Sequence, residues 1–83
     1  MISDKIIEDV HREARRQDEL FDNENNTITA WIAILGEEFG ELCAEALTSS
    51  FTGMTPANLR DEAIQVATVA LRIVEEYDEG RFG

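Results

Sequence analysis

Three successive stretches of this chain carry apolar residues at intervals of three and four, and no apolar-polar alternation of period two persists long enough to make a strand. That periodicity confines the chain to an all-α fold. Ile6, Ile7, Val10, Ala14, Gln17 and Phe21 mark a first helix from about Asp4 to Phe21, capped by Ser3. Asp22-Asn23-Glu24-Asn25-Asn26, a run of turn formers, ends it. Ile28, Ile32, Leu35, Phe39, Leu42, Cys43 and Ala46 mark a second helix from about Thr27 to Thr48, with Gly36 and Gly40 expected on its close-packed side. Ser49 to Met54 reads as a loop. Thr55-Pro56 then reads as a helix start, because threonine can cap and proline suits the first helical position. Leu59, Val66, Ala70, Ile73 and Tyr77, widened by Ala63, Val69 and Val74, carry this third helix to about Asp78.

Residues 1–83 make one small domain whose core lies near the lower limit for unaided stability. The expected architecture is therefore a three-helix chain forming a helical bundle completed by homo-oligomerisation, as a homodimer or homotetramer. Lysine and arginine number 7 against 18 aspartates and glutamates, a formal net charge of -11, which argues against nucleic acid or an anionic membrane as a partner. No stretch reads as a signal peptide or a membrane span, so a cytoplasmic setting is expected. The single cysteine, Cys43, falls at helical spacing among apolar residues and reads as a small buried hydrophobe.

Chemistry concentrates in two acidic clusters, Glu37-Glu38-Phe39-Gly40-Glu41 and Asp61-Glu62-Ala63-Ile64-Gln65, on the second and third helices. At about 100° per residue, Glu38, Glu41 and Glu45 lie along the flank of the apolar stripe with Glu37 further round, while Glu62 projects inside the stripe of the third helix. A solvated acidic face accounts for the first row. It does not account for an inward carboxylate, which is costly to bury without a partner. A magnesium or manganese ion shared by Glu38, Glu41 and Glu62, with Gln65 adding a neutral carbonyl oxygen, would offset that cost and leave positions for phosphates and water.

Trp31 lies about 10 Å along the helix from these acids, a suitable distance for a base stacked on its indole, although on residue type alone a core or interface role is the commoner one. Arg12, Arg15 and Arg16 cluster on the first helix, and Arg72 shares the azimuth of Asp61 and Gln65. Either helical pairing with acids such as Glu8 and Glu76 or contact with phosphates explains them. Glu8 and His11 have the spacing of a di-iron helix, but both project away from the apolar stripe.

Trp31-Ile32-Ala33-Ile34-Leu35-Gly36-Glu37-Glu38-Phe39-Gly40-Glu41-Leu42, followed by Leu59-Arg60-Asp61-Glu62-Ala63-Ile64-Gln65-Val66-Ala67, resembles the MazG-like nucleotide pyrophosphohydrolases, of the short kind often met in bacteriophages. Arg15-Arg16-Gln17-Asp18-Glu19-Leu20-Phe21 is similar to the segment before the tryptophan in those short members. The resemblance implies an all-α NTP pyrophosphatase-like fold whose paired helices hold magnesium and hydrolyse a nucleoside triphosphate to the monophosphate and pyrophosphate. Its first acidic pair maps onto Glu38 and Glu41, and its second, Glu-x-x-Asp, onto Glu62 and Gln65. Gln65 is a departure, since an amide supplies oxygen without charge. In this reading Glu37 or Glu38 assists as base, Trp31 holds the nucleobase, and Arg16 and Arg72 contact phosphate. The alternative is a non-catalytic acidic helical module that binds a partner protein and keeps a relic metal site.

Overall fold

The computed structural model describes residues 1–20 and 26–82; Phe21 and most of the expected turn, Asp22 to Asn25, lie outside the described residues. It contains α1 (Asp4–Leu20), α2 (Ile28–Thr52) and α3 (Leu59–Asp78), with no strand among the described residues. Ser3 caps α1 by accepting the Ile6 N–H at its Oγ at 3.2 Å, and Thr27 caps α2 by accepting the Ala30 N–H at 3.1 Å.

Two expected boundaries are corrected. The Ser49 to Met54 loop is largely helical, because α2 continues to Thr52. Thr48, Ser50 and Thr52 donate their hydroxyls to the carbonyls of Ala44, Ala46 and Thr48, which accommodates this polar run inside the helix. Gly53 then closes it in the left-handed region, φ 71°, donating its N–H to the Ser49 carbonyl at 2.8 Å. The third helix starts at Leu59 rather than at Thr55-Pro56. Pro56 instead opens a preceding turn, in which its carbonyl accepts the Leu59 N–H at 3.3 Å.

α3 lies in the middle, packed against α2 on one side and α1 on the other, while the backbones of α1 and α2 do not approach each other. The arrangement is an open layer of helices, 45 × 28 × 24 Å. α3 accordingly buries Thr68, Val69 and Glu76, and the fully buried hydrophobics of the described residues are Trp31 and Val69. Arg72 clasps α3 to α1. Its guanidinium donates to Asp18, to the Gln17 side chain at 3.1 Å and to the Ala14 carbonyl at 3.4 Å. Arg60 adds a second tie, donating to Asp9 at 2.8 Å. No helix among the described residues is long and apolar enough to cross a membrane.

The second helix turns a different face to α3 than its apolar stripe suggests. Trp31, Leu42, Glu45 and Ser49 are buried or half-buried, whereas Ile28, Ile32, Phe39, Cys43 and Ala46 are exposed. At about 100° per residue the inward face is rotated by roughly 80° from the stripe, toward the acidic flank. Cys43 is therefore a surface residue, and Gly36 and Gly40 face open space instead of a neighbouring backbone. On α3, Ala63, Val74 and Tyr77 are likewise exposed within the single chain.

Candidate metal centre

The rotation of α2 brings its acidic flank against α3. Glu38 and Glu41, one turn apart on α2, meet Glu62 from the first turn of α3, and one carboxylate oxygen from each lies within 4.8 Å of the others. Glu38 and Glu62 are half-buried and Glu41 is exposed. Glu38 Oε2 and Glu62 Oε2 are both buried without a hydrogen-bond partner. Two orphaned carboxylate oxygens side by side are a costly arrangement, since burial and mutual repulsion act in the same direction.

The titration of these groups reflects that cost. Burial, followed by the charges of Glu41 and Glu62, pushes the Glu38 carboxyl above the ordinary range. Burial also raises Glu62, and a hydrogen bond with Glu41, which needs a proton on one of the two, raises it further. A proton or a cation relieves the cluster. Three carboxylates give an all-oxygen donor set, the ligand type that a hard divalent cation takes.

The other sequence candidates take varied positions. Glu37 is exposed, one turn before Glu41 on α2, and is not among the three clustered carboxylates. Gln65, half-buried one turn after Glu62, lines a groove shared with α1. Arg16 makes a two-pronged pair with Glu13, at 2.8 and 2.7 Å, and its charge reaches Glu38. Arg72 spends its donors on α1 and lays its guanidinium over the Trp31 ring, 5.3 Å from the centroid. Trp31 itself is 1% exposed, so its indole is packed inside the protein, and its Nε1 has no acceptor. Glu8 and His11 are exposed, in keeping with their outward projection.

Sequence reasoning missed Asp9, a 9% exposed carboxylate on α1 that gathers Lys5, Arg12 and Arg60. The bond from Arg60, then that from Lys5, holds its carboxyl below the ordinary range. The local signal was present in the Lys5, Asp9, Arg12 spacing of four and three; the partner from α3 was not. Glu76, buried and paired with Arg81 at 2.9 Å, was also missed. Comparison with protein-family models, curated proteins and solved structures gives no match.

Proposed function

We propose that the chain is a magnesium-dependent, MazG-like nucleotide pyrophosphohydrolase that converts a nucleoside triphosphate and water to the monophosphate and pyrophosphate. The observation that carries this reading is the pair of unpartnered, buried oxygens on Glu38 and Glu62 beside Glu41. The order of the acidic motifs along the chain is its second support. Magnesium, or manganese in its place, supplies charge to the phosphates and lowers the pKa of water when bound.

The residues of the chain then divide the work. Glu38, Glu41 and Glu62 would hold the cation, and Gln65, half-buried one turn after Glu62, would add a neutral oxygen if its amide turns toward them. Glu38 is the better base of the two sequence candidates. Glu38 lies in the cluster itself, beside the place a metal-held water would take, whereas Glu37 is exposed and outside the three. Arg16, whose charge acts on Glu38, would have to turn from Glu13 to meet phosphate at the cluster's edge. Trp31 as the base platform and Arg72 as a phosphate contact both require that Arg72 leave the indole face on which it now lies.

The exposed stripe of Ile28, Ile32, Phe39 and Leu47 on α2 supports self-association as a homodimer or homotetramer. It is also the observation that favours the second reading, a non-catalytic module that binds a different protein. One experiment separates the two. A panel of nucleoside triphosphates is incubated with magnesium and scored for monophosphate and pyrophosphate in equal amounts. Such products, absent in chelator, support the pyrophosphohydrolase; a folded protein that turns over none of the panel supports the interaction module.

A further inference from the structure

A groove of about 440 Å³ lies between α1 and the first turns of α3, within the range of about 300–1,000 Å³ typical of small-molecule sites. Lys5, Arg12, Arg16 and Arg60 all line it, four of the seven lysines and arginines in a chain of net charge -11. Such concentration is unexpected for cations that serve only to pair with acids spread over every helix. On α1, Lys5, Asp9, Arg12 and Arg16 fall within roughly 60° of arc, so they form one row along the groove. From Lys5 to Arg16 that row extends about 16 Å at 1.5 Å per residue. Arg60 faces it from α3.

Charge in this row is under-compensated. Lys5, Arg12 and Arg60 converge on a single carboxylate, that of Asp9. Arg60 uses one Nη2 donor for it, and Arg12 one Nη1 donor at 3.5 Å. Among the described residues, the other donors of both guanidiniums are unspent, and each guanidinium has five. Asp9 thereby acts as an organiser that gathers cations, and only Arg16 has a carboxylate to itself, on Glu13. Asp61 also lines the groove, so its four cations face three carboxylates, Asp9, Glu13 and Asp61.

We infer that this groove binds a linear phosphoanhydride, a chain of several phosphates, without a metal ion. A row of cations about 16 Å long with spare planar donors matches a chain of charged oxygens better than one tetrahedral anion, which would meet one or two of them. The free polyphosphate chain and the triphosphate of a nucleotide present the same chemistry. The groove adjoins the three-glutamate cluster and shares Arg16 and Gln65 with the site proposed above, and titration without metal separates the two readings.

Isothermal titration in excess chelator tests this, with inorganic tripolyphosphate as the probe and inorganic phosphate as the single-unit control. Tripolyphosphate is expected to bind at least about tenfold tighter than phosphate, and more weakly as salt is raised. Arg12→Gln, at a side chain that is 72% exposed, and Arg60→Gln are each expected to weaken binding about tenfold or more. Glu62→Gln is expected to leave it intact. A non-hydrolysable nucleoside triphosphate run in parallel identifies the source: tighter binding than tripolyphosphate assigns a nucleotide, and equal binding assigns the free chain. The inference is overturned if tripolyphosphate binds no tighter than phosphate, or if Arg12→Gln retains full affinity in a protein whose helical spectrum is unchanged. Loss of binding in Glu62→Gln overturns it as well, because the anion would then be held at the acidic cluster.

Discussion

Replacing Glu62 by glutamine is expected to stabilise the metal-free protein, the reverse of what removing a half-buried charge partner ordinarily does. The carboxylate oxygens of Glu38, Glu41 and Glu62 come within 4.8 Å of one another. Two unit charges at that separation repel by about 3.5 kcal/mol at an effective dielectric near 20 and by about 0.9 kcal/mol in water. Glu41 is exposed, so the aqueous value applies to it, and half-buried Glu38 falls between the two. Protonation sets a ceiling. Holding Glu62 neutral at about pH 7, against an ordinary value of 4.5, costs roughly 3.4 kcal/mol at about 1.4 kcal/mol per unit. Glu62→Gln should therefore gain about 1–3 kcal/mol in chelator, and each kcal/mol raises the melting temperature by about 4–8 °C for a domain of this size. Magnesium at about a hundredfold its Kd should stabilise the wild type by about 2.7 kcal/mol and the variant by much less. Thermal melts by circular dichroism, with chelator and with magnesium, read both effects. A variant that melts below wild type in chelator, or that keeps the full magnesium shift, refutes the reasoning.

Three further outcomes follow from the same geometry. Glu38 and Glu62 titrate above the usual 4.5, so their contribution is present below that value and is lost as pH rises through the raised values; Asp9 and Glu13 are depressed and lose theirs as pH falls through the lowered ones. Melts in chelator should accordingly rise as pH falls from about 7 to about 5, and saturating magnesium should flatten that slope. Arg72→Ala removes the clasp on Asp18, Gln17 and the Trp31 face and should cost about 2–4 kcal/mol in a denaturant titration, with Arg72→Lys recovering less than half because it lacks the planar fork. Gln65→Asp should tighten magnesium binding in a metal titration if the amide oxygen extends the cation site, and should lower activity at every metal concentration if Gln65 only hydrogen-bonds a neighbouring carboxylate.

Helix content was legible in the sequence because periodicity and caps are local. Ser3 and Thr27 cap where their residue types indicate, and three helices follow. The start of α3 was not legible, since Thr55-Pro56 carries the same cues as a helix start while forming a turn before one. Nor was the inward face of α2. Hydrophobicity points to Ile28, Ile32 and Phe39, but the helix has two faces to cover, and the one turned to α3 carries Trp31 with Glu38 and Glu45. The approach of Glu38, Glu41 and Glu62 was readable from helical azimuth and the cost of an inward carboxylate on α3. Asp9 and Arg60 lie on different helices, and their pairing depends on how α1 docks, which no local pattern encodes.

The most direct test of a divalent-cation centre at the three glutamates is an electron paramagnetic resonance titration with manganese at about pH 7. Free manganese should be depleted stoichiometrically by the wild-type chain and released again by excess magnesium, and Glu38→Gln and Glu62→Gln should each abolish the depletion while Glu37→Gln retains it. An undiminished free-manganese signal in the presence of folded wild-type protein, or full depletion by Glu62→Gln, would contradict the assignment.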